Sequence, residues 1–563
     1  MRHSATQLLL VLACLITVSS ATTHIAKSQI DFHCEILSSS ECMTIANLGE
    51  NIEVDAELIN AGIANILTQI ASLGYPTAGV DSVITRHDNG NEHVDIYISI
   101  GHPLLVNSIY YSETATTDIQ HDYDTKSNLV SNNYLRNKAY KLLDTYADNG
   151  FPFASVNIVP SNISNENNDL STNLNLHTQI GDFIRIGSVN FPGRAVTSLI
   201  LLRNESRIRR GAIFNQTYIN RALAKLNKLD YIDQSESIIL IPSSPGIVDI
   251  NIPITENKIT TFSGIAAYDQ QDDKIRGDVN LSLGNILGTG RKLELVWEGL
   301  DRLRSGVSLA YYEPWLMGHP LHASIGINLW TGDSLGVRFD RYFGLDWQPN
   351  FNITVGSEVK FENINLPEVN SIRKGYNSVW VSVKGSIDYL DRLWNPKRGI
   401  YLSSMSSTGF RKAVGANSES RVIHHDKVSL RYVRKLHNKL YISQFSKIDD
   451  IRGENVTNAD LIPIGGINSL RGYVEGRNIV RGVYINNIEL RWRFDDGAYF
   501  GIFNDLGWIY RQDSNNPVDK LLTSIGLTTG IYSNSTRINI NIGLAAGEPM
   551  QNARLHVRIR RYF

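Results

Sequence analysis

Cysteine is scarce, with 3 in 563 residues, and no Cys-x-x-Cys pair occurs. A zinc ribbon or a thioredoxin-like redox site therefore has no foundation in this chain. A surplus of charge is missing too: 54 Lys+Arg against 56 Asp+Glu leave a net charge of −2. That excludes nucleic-acid recognition through a general positive field. Long apolar runs are absent except near the start, and mean hydropathy is −0.17, which excludes a polytopic helical membrane protein. A membrane β-barrel survives this filter, because its strands are apolar on one face only and look soluble on average.

The one apolar run occupies residues 8–18, after the cationic Met1-Arg2-His3 and before the small residues Ser19-Ser20-Ala21. It is about half the 20 residues a transmembrane helix needs. The pattern predicts a cleavable export signal over residues 1–21. A lipoprotein reading at Val11-Leu12-Ala13-Cys14 would cut the apolar run too early. Cys34 and Cys42 remain after cleavage, an even pair in an oxidising compartment, so either a local disulfide or two buried thiols is expected.

Residues 28–257 alternate helical and strand patterns. Leu58, Ile59, Ile63, Ile66, Leu67 and Ile70 fall on one helical face, and Gly74 follows as a helix stop. The phrase Gly74-Tyr75-Pro76 returns as Gly150-Phe151-Pro152 after a second helical run, a spacing of about 76 residues that marks a repeated unit. A third copy, with a helix from Gln216, lacks the glycine and proline. The expected unit is strand–helix–helix–strand–strand, with boundaries at 28–102, 103–181 and 182–257.

From residue 258 the helical pattern stops. Runs such as Arg537-Ile538-Asn539-Ile540-Asn541-Ile542 alternate strictly, and about 16 runs of this kind predict an all-β transmembrane barrel over 258–563. The 25 Tyr, 17 Phe and 8 Trp suit interfacial girdles. The last run, with Leu555, Val557, Ile559 and Phe563 on alternate positions, is the expected closing strand, since a closed barrel leaves no free edge. The fold class is thus α+β modules followed by an antiparallel barrel. A soluble sandwich or propeller would need its apolar faces packed on each other, and this half carries no blade-like repeat.

The longest loop contains Gly465, Gly466, Leu470, Arg471, Gly472 and Tyr473. Apolar flanks beside glycines would carry Arg471 into an enclosed place, where a guanidinium needs carboxylates. On the following strands Glu489 lies opposite the apolar set Ile488, Leu490, Trp492, and Asp505 lies opposite Ile502, Leu506, Trp508, so both acids face inward. The expectation is that Arg471 pairs with Glu489 and Asp505; the pattern alone also permits a solvated outer loop.

The Gly-Gly-x-x-Ser-Leu-Arg-Gly-Tyr phrase resembles the signature loop of the outer-membrane assembly and two-partner secretion transporters, the superfamily of BamA and TamA. In that family the loop enters the barrel and its arginine meets inward acids, at positions matching Glu489 and Asp505. The phrases Asn285-Ile286-Leu287-Gly288-Thr289-Gly290-Arg291 and Glu313-Pro314-Trp315-Leu316 also look like family phrases, and the leading repeats resemble POTRA domains. Three such modules before the barrel look like the TamA branch. The terminal strand lacks a glycine often found in the family's closing signal.

The resemblance implies a non-enzymatic factor, without a cofactor or metal, that helps β-barrel clients of autotransporter type into the outer membrane. Implied partners are unfolded outer-membrane proteins, outer-membrane lipid and an inner-membrane TamB-like protein. The alternatives are a two-partner secretion transporter with a dedicated exoprotein and a general BamA-like insertase. Enzymatic readings are weak. In His424-His425-Asp426 neighbours point to opposite faces, and the glycine-rich stretch 284–292 lacks the Lys-Ser/Thr ending and the helix of a phosphate loop.

Overall fold

The computed structural model describes residues 28–48, 56–88, 91–113, 116–122, 128–166, 169–235, 237–269, 274–301, 304–332, 336–367, 375–392, 395–414, 420–454, 456–457, 459–476, 478–495, 497–511, 520–533 and 536–561. The expected export signal, Cys14 and Phe563 lie outside the described residues. Two compact units emerge: one runs to Ile186 and includes Gly211–Tyr218 and Ser244–Ile247, and the other holds Gly187–Arg210, Ile219–Ser243 and everything from Val248 onward.

The first unit opens with a β-α-α-β-β module. Strand Ser28–Cys34 pairs in parallel with Asn91–Ser99, which pairs antiparallel with Gly79–Asp88. Helices Ser39–Ala46 and Ala56–Ser72 cover the sheet. The first begins at a full capping box, with the Ser38 hydroxyl accepting from the Glu41 N–H and Glu41 reaching back to the Ser38 N–H. Ile66 and Ile70 are fully buried against Phe32, Val94 and Ile96, with Ile59, Ile63 and Leu67 packed beside them. Leu58 departs from the expected face and is 46% exposed, because it is displaced by one position from the buried stripe. The candidate Cys34–Cys42 disulfide is not formed. Both are free thiols, since Cys42 is spent as a small apolar filler in this core.

The second module departs from the repeat. Helix Asn132–Asp148 is present, but Thr116–Asp122 is a strand where the repeat called for a helix. It pairs antiparallel with Leu104–Glu113, giving a four-stranded sheet. The segment is rich in threonine and has no apolar residue at helical spacing, so an edge strand satisfies its backbone at less cost.

The recurrent glycine has a physical basis. Gly74 and Gly150 both adopt positive φ, +108° and +99°. The Gly74 carbonyl accepts from the Leu104 N–H at 2.9 Å, and the Gly150 carbonyl from the Ile184 N–H at 2.8 Å. Each glycine thus turns the chain out of a helix and receives the strand that opens the next module.

A third α/β module carries helices Leu199–Ser206 and Gln216–Leu226 on a sheet ordered Ile239–Ser244, Ile247–Asn251, Arg185–Asn190. Here no glycine is available, and the Tyr231 carbonyl accepts from Asn257 at 3.0 Å. The short strand Ile254–Glu256 leads to the barrel. On the way, the Glu256 carboxylate accepts from the N–H groups of Ala195, Val196 and Thr197 at 3.0–3.1 Å.

Sixteen antiparallel strands follow in one sheet, from Thr261–Asp269 to Arg554–Arg561. Each strand is hydrogen-bonded to the next in order. Outward residues are large and apolar, as with Phe343, Phe361, Trp492, Ile502 and Ile542. Inward residues are polar, including buried Asp340, Glu362, Arg411, Arg491 and Asp505. This inversion is what a wall between hydrocarbon and a polar lumen requires. The first and last strands lie side by side, yet share no ladder among the described residues.

The third module meets the barrel rim through the C-terminal end of helix Leu199–Ser206. Arg207 donates to the Gln348 carbonyl and side chain at 2.8 and 3.1 Å, with its guanidinium over Trp315 and Phe351. The Trp315 indole donates to Glu205 at 2.9 Å.

Candidate functional site: a loop seated in the barrel lumen

The long loop leaves strand Leu440–Gly453, the eleventh of the barrel, and returns as Gly482–Arg493, the twelfth. Two short strands, Ile462–Ile464 and Asn478–Val480, pair to make its neck. The tip then folds tightly: the Gly466 N–H donates to the Leu470 carbonyl at 3.0 Å, and the Gly465 N–H to the Ser469 hydroxyl at 2.7 Å. Gly465, Gly466 and Gly472 all have positive φ, conformations that a side chain would strain. Leu470 is fully buried in an apolar cluster with Ile464, Val483, Ile485, Ile509 and Leu522.

That burial carries Arg471 against the wall. Its backbone N–H and Nε both donate to Asp505 Oδ2 at 2.9 Å, and Nη2 donates to Oδ1 at 2.6 Å. Nη1 donates to Glu489 at 2.5 Å and to Asn541 at 3.2 Å. The guanidinium also stacks over Phe503 at 3.7 Å. Glu489 is shared, accepting from Arg491 Nε at 2.6 Å. The planar fork is thereby satisfied on each edge, the geometry that favours arginine over lysine.

The surrounding wall is shaped for this loop. A side chain at Gly543 would place its Cβ 2.7 Å from the Gly472 nitrogen, so glycine there admits the loop backbone. The Tyr473 hydroxyl donates to the Thr523 carbonyl at 3.0 Å. The last strand joins in: Arg554 donates to the Gly472 carbonyl at 3.1 Å, and Arg558 to Asn468 at 2.8 Å. Of the expected closing residues, Leu555, Val557 and Ile559 are all more than half exposed on the outer face.

A second cluster has no counterpart in the motif. Arg411 on the ninth strand, Gly399–Ala413, is fully buried. It donates to both Asp460 oxygens at 2.6 and 2.8 Å, to Glu362 at 2.6 Å and to the Ser378 hydroxyl at 2.8 Å. Glu362 further accepts from the Trp380 indole at 3.0 Å and pairs with Arg338 at 2.7 Å. Asp460 belongs to the loop, and Thr457 donates to it through both N–H and hydroxyl. Buried charges on strand patterns were the available signal, but their partner lies 49 residues away.

The residues of the enzymatic readings do not converge. His425 pairs with Asp449 at 2.8 Å, while Asp426 bonds Ser406 and Arg452, on alternate faces of one strand. The glycine-rich stretch 284–292 is a turn between strands Lys274–Ile286 and Arg291–Asp301. No group of metal-ligating side chains occurs among the described residues.

Comparison with known proteins gives one family match, to the Omp85 superfamily domain over residues 285–557. No curated protein matches the chain. Similar solved structures include BamA from Haemophilus ducreyi lacking POTRA domains 1–3, at 15% identity over 78% of this chain and 94% of that one, with a TM-score of 0.44. CdiB from Escherichia coli matches at 12% identity over 98% and 93%, with a TM-score of 0.47. CdiB from Acinetobacter baumannii matches at 10% over 97% and 91%, with a TM-score of 0.46. Over residues 285–557 the chain is thus similar to the Omp85 superfamily domain, a family of outer-membrane barrels with periplasmic POTRA-like modules.

Proposed function

We propose that this protein is an assembly or translocation factor of the TamA kind, which helps β-barrel clients of autotransporter type into the outer membrane. The observation that carries the proposal is the seam. All other neighbouring strands are zipped, whereas Thr261–Asp269 and Arg554–Arg561 have no ladder with each other among the described residues. Unpaired N–H and C=O groups facing hydrocarbon cost several kcal/mol each. An edge in that condition gains by pairing with an incoming strand, which has the same need. The loop supports the last strand from within through Arg554 and Arg558, so that strand keeps its shape while its outer edge is free to template.

The modules suit the reception of unfolded clients. Edge strand Gly79–Asp88 exposes Val83 and Ile84, and edge strand Ile239–Ser244 exposes Ile239 and Ile241. Such edges accept an extended chain by β-augmentation. A TamB-like inner-membrane protein and outer-membrane lipid are the further partners proposed, and no chemical step or cofactor is involved.

The test is reconstitution of the full-length protein in phospholipid vesicles with a urea-denatured autotransporter β-domain. Protease-resistant, heat-modifiable client should form faster than in empty vesicles. Locking the seam with an engineered disulfide between the first and last strands, in a Cys34→Ser, Cys42→Ser background, should abolish the gain. Unchanged insertion with a locked seam would remove the templating role. Purification from native membranes separates the two transporter types: a co-purifying inner-membrane tether supports the TamA kind, and a single bound exoprotein supports two-partner secretion.

A further inference from the structure

The two buried clusters share one loop but have opposite charge logic. Around Arg411, the barrel wall supplies three cations, Arg338, Lys360 and Arg411, and two carboxylates, Asp340 and Glu362. The third carboxylate, Asp460, comes from the loop. Around Asp505, the wall supplies Glu489, Asp505 and the cation Arg491, and the loop supplies Arg471. The loop therefore carries an anion to the first cluster and a cation to the second. Those walls are separate: Arg338 to Arg411 span the sixth to ninth strands, and Glu489 to Asn541 the twelfth to fifteenth.

We infer that the lumenal loop is a plug with two oppositely charged prongs, in which Asp460 is the fixed anchor and Arg471 the releasable one. The difference in enclosure argues for this order. The side chains of Arg411 and Glu362 are 0% exposed and that of Asp460 1%. Arg471 and Glu489 are 7% and 12% exposed, and they line a cavity of about 240 Å³ shared with Arg431, Arg491 and Tyr499. The Arg471–Glu489 side of the clasp thus borders open space, although Asp505 on its other side is 0% exposed, whereas the Arg411–Glu362–Asp460 contact is enclosed at every partner. The anchor also holds the loop backbone directly, through Arg338 Nη1 donating to the Ala459 carbonyl at 2.8 Å and Thr457 N–H donating to Asp460 at 2.7 Å. When the tip leaves its well, the loop pivots about Asp460 and swings away from the strands nearest the seam, without leaving the lumen. Asp460 and Arg411 are thus positioning residues for the loop.

Hydrogen exchange on the full-length protein in lipid nanodiscs tests this without reference to clients, so its outcome is separate from that of the insertion assay. In the wild-type chain, amides at 456–460 should exchange at least tenfold more slowly than those at 466–473. Arg471→Ala should release 466–473 and leave 456–460 protected, whereas Asp460→Asn should release both. Loss of protection at both places in Arg471→Ala, or faster exchange at 456–460 than at the tip in the wild type, would overturn the two-prong order. Should Asp460→Asn yield no folded barrel, Thr457→Ala, which removes one hydroxyl from the anchor, should raise exchange at 456–460 more than at the tip; the reverse order would also overturn it.

Discussion

The first α/β module and the barrel solve the burial problem in opposite senses. In the module, Phe32, Ile66, Ile70, Val94 and Ile96 meet inside and charges stay outside. In the barrel, Phe343, Trp492 and Ile502 point out, while Arg411, Glu362, Arg471 and Asp505 are enclosed. Alternation is the common grammar, and the solvent outside decides which face becomes the core. The lesson concerns energy. An apolar core tolerates loss of a contact in proportion to volume, whereas a charged core fails when one partner leaves, because the other remains buried and unpaired.

The sharpest break of this comparison is therefore electrostatic. Arg471→Ala strands Asp505 and Glu489 and should destabilise the barrel by about 3–5 kcal/mol. Arg471→Lys should recover only part of that, since an ammonium cannot serve Asp505, Glu489 and Asn541 with a planar fork. Heat-modifiable mobility and urea unfolding of the barrel report both. In the module, Ile70→Ala should cost about 2–5 kcal/mol through the cavity it leaves. That loss should appear in limited proteolysis of the periplasmic portion with the barrel transition unmoved; a shared shift in both would show that the two cores are not independent.

A steric break comes next. Gly543→Ala pushes a methyl group to within 2.7 Å of the Gly472 nitrogen, and overpacking against backbone costs about 1–3 kcal/mol. Gly507→Ala meets the Leu470 side chain first rather than backbone, so it should be the milder of the two in the same unfolding assay. Equal effects would mean that the loop backbone yields as easily as a leucine rotamer.

How much of this was legible depended on distance along the chain. The barrel was readable because period-two alternation is local, and each strand announces its own outer face. The Arg471 loop was conspicuous because apolar residues and glycines surround one charge within a few positions. The strand Thr116–Asp122 was missed because the repeat argued for a helix, and local β-propensity prevailed over it. Asp460 was invisible for a different reason. It looks like any loop aspartate, and only the folded barrel wall brings Arg411, Glu362 and Arg338 around it.

A pH ramp probes the transition between the two regions. The Glu256 carboxyl is partly buried, which opposes ionisation, but three backbone N–H donors outweigh this and hold it below the usual carboxylate range. A lowered folded value means its stabilisation is complete above the unfolded value of about 4.3 and drains away as pH falls through the folded one. Protease sensitivity near 195–197 should rise below about pH 4, and Glu256→Gln should flatten that dependence. An unchanged acid profile in Glu256→Gln would assign the transition to other carboxylates.

The smallest effect tests the module's core most directly. Burial, with smaller contributions from Cys34 and Glu41, pushes the Cys42 thiol up to about 11. At pH 8 almost none of it is thiolate, and the thiolate is the nucleophile. Alkylation of the native protein should therefore modify the half-buried Cys34 first and leave Cys42 untouched until the module unfolds. Mass analysis without reductant should find two separate thiols, since Cys42 serves the core as a small apolar filler in the cluster with Phe32 and Ile66 rather than as a cross-link. A bridged peptide would mean that the helix Ser39–Ala46 reorients to present its sulfur to the end of strand Ser28–Cys34, and the apolar core would then be the adaptable one of the two.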